Sequence, residues 1–193
     1  MRIIAGRYKG HGLESVGKGD KRAHLRPTSD RVRESLFNRL GHGGFRDPPI
    51  PEDCRVLDLF AGTGALGLEA LSRGASKVVF VERGSAALKL LSENIDRLSA
   101  RKTTRVLAKD ALKLGQCTVE PFDLVFLDPP YGKGLGEQAM ISAIDGIWLA
   151  PGALVLWEED GEVRPHASLY HRDTHIYGRT RIHIYEYRRN RED

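Results

Sequence analysis

The sequence predicts an open, mostly parallel α/β sheet, and three observations predict it. Beyond residue 50, short apolar runs alternate with segments of helical periodicity, the order that builds βαβ units. The runs are nearly continuous in apolar side chains, as strands covered on both faces require. A glycine-rich turn, DLFAGTGALG (58–67), carries the first run into the segment that follows, in the manner of a ligand-binding βα turn.

The elements follow in order. RIIAGRYKGHGLES (2–15) reads as a small hairpin turned at glycine. RPTSDRVRESLFNRL (26–40) is helical, with Val32, Leu36, Phe37 and Leu40 on one face. Asp30 lies in its first turn, where the helix dipole favours negative charge. GHGGFRDPPIP (41–51) is a Gly/Pro linker. Residues 1–50 thus form a basic hairpin-and-helix extension, and 51–193 the main domain. Its strands are RVLDLF (55–60), KVVFVE (77–82), TRVLAKD (104–110), FDLVFLD (122–128) and ALVLWEE (153–159). Helices are expected over 65–73, closed by Gly74, over 85–99, and over roughly 136–149, closed by Ala-Pro-Gly at 150–152. Ser85 is the expected cap of the second, whose Leu88, Leu91, Ile95 and Leu98 share a face. In the tail, HASLYHRD (166–173) and RTRIHIYEYRR (179–189) flank a turn at 175–178 as an antiparallel edge pair. Ile182 and Ile184 face one way, His183 and Tyr185 the other.

Composition narrows the class. A chain of 193 residues, 40% hydrophobic and 29% charged, suffices for a core without disulfides. It shows neither a signal-peptide apolar region nor a run of membrane-spanning length. Two distant cysteines, Cys54 and Cys117, form no CxxC, so a reduced, cytoplasmic protein without structural zinc is expected. The histidines show no metal-ligand spacing, and no metal is expected. Charge is uneven: residues 1–40 hold ten Lys/Arg against four Asp/Glu, and 164–193 seven against four, around an acidic centre. Basic ends suit an anionic polymer gripped beside a central site, although solvated surface charge gives the same tally.

Two motifs carry chemistry. Gly62, Gly64 and Gly67 satisfy GxGxxG between strand and helix, and Glu82 ends the next strand. Glycines let a ligand approach the backbone, and the acid suits ribose hydroxyls. A dinucleotide would set its pyrophosphate at the helix start, where Asp58 is unwelcome. An acid there suits a cationic ligand end, such as the ammonium and sulfonium of S-adenosylmethionine. Asp110 could accept from an adenine amino group or could cap the ALKL turn after it. The second motif is DPPY (128–131), which ends a buried strand. Strand carboxyl ends open on the ligand crevice. Two prolines stiffen the loop and supply no N–H donors. The Asp128 carboxylate and the Pro129 carbonyl then converge as two acceptors, with the Tyr131 ring beside them. That arrangement suits an exocyclic amine on a conjugated ring, held tetrahedral so that its lone pair meets an electrophilic methyl. Neither cysteine lies in this loop, so a covalent cysteine route is not expected.

With these residues in view, DPPY resembles motif IV of class I amino-methyltransferases, and DLFAGTGALG their cofactor motif I. RIIAGRYKG, LRPTSDRVRESLFN, VLDLFAGTGALGLEALSRGA, VFVER and FDLVFLDPPY together resemble the bacterial 16S rRNA guanine-N2 methyltransferase D (RsmD) family. The resemblance runs from Arg2 to about Gly136. It implies a Rossmann-like fold with a mostly parallel, seven-stranded sheet whose last strand is antiparallel. It also implies methylation of a guanine N2 in 16S rRNA, free, within the 30S subunit or in an assembly intermediate. Asp58 and the backbone of Ala61, Gly62, Thr63 and Gly64 would hold the methionine part of S-adenosylmethionine. Glu82 would bind the ribose, and Asp110 and Ala111 the adenine. Asp128 and Pro129 would accept from the target amine, and Tyr131 would stack on the base, its hydroxyl dispensable. Arg26, Thr28, Arg31 and Arg33 look like a flap over the cofactor and a contact to RNA phosphate. Arg83, after the ribose acid, has no assigned role. A monomer is expected. Two other readings stand beside this one: a DNA adenine-N6 or cytosine-N4 methyltransferase, since DPPY does not name the base, and a nonenzymatic RNA-binding assembly factor.

Overall fold

The computed structural model describes residues 1–15, 29–178 and 180–189. Seven strands form one sheet: β1 (Arg55–Leu59), β2 (Lys77–Glu82), β3 (Thr104–Ala108), β4 (Phe122–Leu127), β5 (Leu149–Glu159), β6 (Leu169–Tyr177) and β7 (Thr180–Tyr187). Their spatial order is β3-β2-β1-β4-β5-β7-β6. The first five strands are parallel, and β7 runs antiparallel to both β5 and β6. Among the described residues four α-helices accompany them: α1 (Asp30–His42), α2 (Ala65–Ser72), α3 (Ser85–Arg97) and α4 (Leu135–Asp145). Among the described residues no helix is long and apolar enough to cross a membrane.

The central strands are apolar because both faces are covered. Val56, Phe80, Leu124, Phe126 and Leu156 pack on one side with Leu36, Phe37 and Leu40 of α1. Leu57, Leu59, Val125, Leu127, Val155 and Trp157 pack on the other with Ala139, Met140 and Ala143 of α4. Burying such side chains is worth roughly 1.5–3 kcal/mol each, which is why they dominate these strands.

The N-terminal segment belongs to the first of these cores. A bridge between Arg2 and Gly12, not a pair of full strands, closes its hairpin. Buried Ile3 joins the core. Glu69 of α2, itself buried, accepts from Ile4 N at 2.8 Å and Ala5 N at 3.1 Å. Helix α1 is capped by Ser29, whose hydroxyl accepts from Val32 N. It is fastened to the far edge of the sheet by an Arg39–Asp173 ion pair at 2.6 Å and by Tyr177 Oη donating to Ser35 Oγ at 2.8 Å.

Four expectations change. β3 is an edge strand and largely exposed, so its apolar run is covered on one side at most. Gly84, not Ser85, caps α3; its N–H is taken by Glu82 Oε1 at 2.6 Å. α4 stops at Asp145, because Gly146 and Ile147, the latter with φ of 58°, turn the chain into β5. Ala150, Pro151 and Gly152 therefore lie inside β5, where pairing shifts between Phe122 and Leu124 and a proline costs no ladder bond. Finally, β6 continues to Tyr177, which shortens the predicted 175–178 turn.

Candidate active site

Strands β1 and β4 are neighbours whose connections leave in opposite directions, the switch point at which α/β sheets open a crevice. The carboxyl ends of five strands bring Asp58, Glu82, Asp110, Asp128, Glu158 and Glu159 to this rim.

The glycine loop is built by close approach. Phe60, leaving β1, has φ of 59°, a left-handed conformation that costs a non-glycine residue of order 1–3 kcal/mol and collects at functional sites. Gly64 starts α2 at φ of 82°, and a Cβ there would lie 2.4 Å from Leu91 Cδ1. A Cβ on Gly67 would lie 2.4 Å from Phe80 Cε1 and 3.0 Å from Asp58 Oδ2. The close Asp58–Gly67 contact is also a hydrogen bond: Gly67 N–H donates to Asp58 Oδ2 at 3.0 Å. Asp58 is 2% exposed. Burial pushes its carboxyl up to about 8; the Gly67 N–H opposes this and Glu82 adds to it.

Glu82 holds the loop rather than standing apart from it. Its Oε2 accepts from Gly62 N at 2.9 Å, and its Oε1 from Arg83 N at 2.8 Å as well as from Gly84 N. Ala61 donates from its backbone to Val81 O at 3.1 Å. Thr63 O accepts from the buried Asn94 Nδ2 at 3.0 Å, and Asn94 also binds both backbone groups of Glu14, tying the N-terminal segment to the loop. Asp110 does cap the turn after β3, accepting from Leu112 N at 3.0 Å, with Ala111 buried beneath it. Its second oxygen takes Arg83 at 2.7 Å. Arg83, left without a role by sequence, spans the ends of β2 and β3.

Asp128 follows β4 directly. Its carboxyl accepts no hydrogen bond from a described residue. It is held well above the usual carboxylate range by burial first, then by Glu158, Asp58 and Glu159. Pro129 behind it is buried. The Tyr131 hydroxyl donates to Glu158 Oε1, a partner that the sequence reading did not foresee. Burial and Glu158 both raise the phenol. Glu159, 7% exposed, accepts from Gly132 N–H. The end of β5 thereby grips the DPPY loop at two successive residues. Sequence reasoning missed Glu158, Glu159 and Asn94. The two glutamates had a signal: WEED closes a strand parallel to β4. Asn94 had none beyond being a polar residue on the apolar face of α3.

The expected nucleic-acid residues divide. Arg26 and Thr28 lie outside the described residues. Arg31 is exposed on α1. Arg33 is fully buried, donating to Arg2 O at 2.6 Å and Asp30 Oδ1 at 2.7 Å. A guanidinium enclosed in this way cannot meet an RNA phosphate, so its assignment as a contact is corrected: Arg33 fastens α1 to the N-terminal segment.

A strained glycine loop at the first strand end, an acid at each following one and DPPY at the switch point define a class I methyltransferase. The pattern of the family described as Conserved hypothetical protein 95 matches residues 1–186, and the chain belongs to that family. It is 39% identical over 165 residues to ribosomal RNA small subunit methyltransferase D of Escherichia coli (strain K12), covering 84% of this chain and 76% of that protein. It is likewise 39% identical over 163 residues to the protein of the same name from Haemophilus influenzae, covering 83% and 79%. The solved structure of yhhF from Escherichia coli superposes with a TM-score of 0.81 at 35% identity, over 98% of this chain and 99% of that one.

Proposed function

We propose that this chain transfers a methyl group from S-adenosylmethionine to the exocyclic N2 of a guanine in 16S rRNA. It does so as a cytoplasmic monomer, on the 30S subunit or an assembly intermediate. The observation that carries the reading is Asp128: a carboxylate without a hydrogen-bond donor from the described residues, at the head of a proline-stiffened loop, in the crevice of the glycine loop. The methyltransferase relatives named for small-subunit rRNA support the substrate class.

The residues present fit the cofactor. Buried Asp58, whose proton affinity is raised, would regain its charge beside a cation. Gly62 and Gly64 take φ of 56° and 82°, a conformation that glycine adopts without strain, and the backbone of Ala61, Gly62, Thr63 and Gly64 would run along the methionine part. Glu82 would take the ribose, Asp110 and Ala111 the adenine edge. When bound, S-adenosylmethionine supplies a methyl group on a positively charged sulfur that leaves as a neutral thioether.

The remaining work falls to the chain. A guanine N2 lone pair is delocalised into the ring and weakly nucleophilic. Asp128 and the Pro129 carbonyl accept its two N–H groups and draw the nitrogen towards tetrahedral geometry. Beside the positively charged sulfur Asp128 would ionise, and a hydrogen bond to a charged acceptor is worth about 1.5–3 kcal/mol. Tyr131 stacks on the base, worth roughly 1–3 kcal/mol. Asp128, with its raised proton affinity, takes the proton that N2 sheds once the N–C bond forms. Holding both reactants in line lowers the barrier further. Exposed Arg2 and Arg31, near the start of α1, supply phosphate contacts.

The test is transfer of labelled methyl to 30S particles, free 16S rRNA and duplex DNA side by side, followed by nucleoside analysis. N2-methylguanosine in the ribosomal substrate is expected. Label on adenine or cytosine of DNA would overturn the substrate, and absence of label with cofactor bound would overturn the enzyme.

A further inference from the structure

Two side chains from outside the glycine loop hold its backbone. Glu82 of β2 accepts Gly62 N–H at 2.9 Å, and Asn94 of α3 donates to Thr63 O at 3.0 Å. Their surroundings differ. Glu82 is half-buried at the rim, where it would be shared with the ribose. Asn94 is 0% exposed, so no ligand reaches it, and whatever it does for the cofactor it does through the loop.

The rest of the Asn94 carboxamide faces the N-terminal segment. Its oxygen accepts from Glu14 N at 2.7 Å, and its nitrogen donates to Glu14 O at 3.1 Å. An asparagine side chain offers one oxygen and two N–H groups, and here all are engaged. Turning the amide over would set N–H against N–H and oxygen against two carbonyls, so its orientation is fixed. Removing it would leave buried backbone groups unpaired on both sides, which is costly.

The segment is in turn docked along α2, the helix that starts at Gly64. Glu69 holds Ile4 and Ala5, Ser72 Oγ accepts from Tyr8 N at 2.9 Å, and Ser72 O accepts from Arg7 N at 2.7 Å. At Gly6 the two backbones touch: φ is 79°, and a Cβ there would lie 1.8 Å from Ser72 O. Ile3 and Leu13 are buried with the core. Arg97, one turn after Asn94, pairs with Glu14 and donates to Gly12 O at 3.3 Å. The segment thus runs from the far end of α2 back to the residue that pins the loop at its near end.

We propose that Asn94 is a positioning residue for S-adenosylmethionine, and that residues 2–14 are a working part of the cofactor site. The loop keeps its binding conformation only while the segment is seated. This deepens the reading given above and rests on it.

Calorimetry with S-adenosylmethionine, well below the Tm of each chain, tests it. Asn94→Ala should weaken Kd about tenfold or more, the scale of one or two buried hydrogen bonds. Gly6→Ala touches neither the loop nor the rim but lifts the segment off α2, and should weaken Kd about fivefold or more. Leu149→Ala is the control: 3% exposed at the start of β5, in the other core, it lowers Tm by opening a cavity and should keep the wild-type Kd. On 30S particles the Asn94→Ala chain should show a raised KM for S-adenosylmethionine and a kcat within about twofold of wild type. Amide hydrogen exchange of the wild-type chain needs no variant and stands even if one fails to fold. Saturating S-adenosylmethionine should slow exchange at Ile3 and Glu14 about tenfold or more and leave the edge strand β6 unchanged.

An Asn94→Ala chain that loses stability but binds the cofactor normally overturns the proposal, because Asn94 is then structural only. So does a Gly6→Ala chain with wild-type affinity, a Leu149→Ala chain weakened as much as Asn94→Ala, or exchange at Glu14 that ignores the cofactor. A wild-type chain that binds no S-adenosylmethionine overturns the assigned function itself, a failure distinct from a changed ratio.

Discussion

Asp58→Asn should make the ligand-free protein more stable at neutral pH while removing its ability to hold the cofactor. Asp58 is 2% exposed, and burial lifts its carboxyl from 3.8 to about 8. Between those values the folded chain keeps a proton that the unfolded chain has lost. Stability therefore falls as pH rises, by about 1.4 kcal/mol per unit, until the folded carboxyl ionises near pH 8. At pH 7 the accumulated cost is about 4 kcal/mol. Asparagine carries no charge and can still accept from Gly67 N–H. Urea denaturation of the two chains at pH 5.5, 6.5 and 7.5 reads the effect, since the titrating groups that Asp58 does not touch are common to both and relief of Asp128 from the Asp58 charge acts in the same direction. The difference should widen in favour of the asparagine variant by about 2–3 kcal/mol across that range, or roughly 5–10 °C in Tm for a domain of this size. S-adenosylmethionine should raise the Tm of wild type and leave that of the variant unchanged. A stability difference that is constant with pH would refute the reasoning, because Asp58 would then be ionised throughout.

Three further outcomes follow from the same geometry. Gly67→Ala forces a methyl to within 2.4 Å of Phe80 and 2.8 Å of Val78, both fully buried; overpacking of this kind costs about 1–3 kcal/mol, and thermal denaturation should show the loss together with weakened cofactor binding. Asp128→Ala should abolish methyl transfer at unchanged cofactor affinity, whereas Asp128→Asn, which keeps one acceptor, should retain a measurable rate; equal loss in both would assign Asp128 to proton removal alone. Arg83→Ala opens the exposed pair with Asp110 and should cost under about 1 kcal/mol of stability, while raising the KM for S-adenosylmethionine with kcat little changed.

The central sheet was legible because its physics is local. A strand covered on both faces must be apolar throughout, so β1, β2 and β4 declared themselves to within a residue or two. The glycine loop and DPPY were legible for a related reason: a backbone that must approach a ligand or stiffen at a strand end admits few residue types. β3 carries the same kind of run yet lies at an edge. Nothing in a single strand records how many neighbours it will have. The start of β5 was hidden because a proline that would break a paired strand is tolerated in an unpaired bulge.

Partnership across the chain lay beyond the sequence altogether. Arg33 resembled a surface cation until α1 folded over the N-terminal segment and enclosed it against Asp30. The Tyr131 hydroxyl had no foreseen partner until β5 came alongside β4 and set Glu158 within its reach. Asp58 was an acid at a loop in either view, but only burial in the assembled sheet makes it hold its proton to about pH 8. The sequence by itself determined which residues could do chemistry, through their type and their place at strand ends. The tertiary structure decided which carboxylates are paired, buried or open, because desolvation and hydrogen bonding depend on residues tens of positions away.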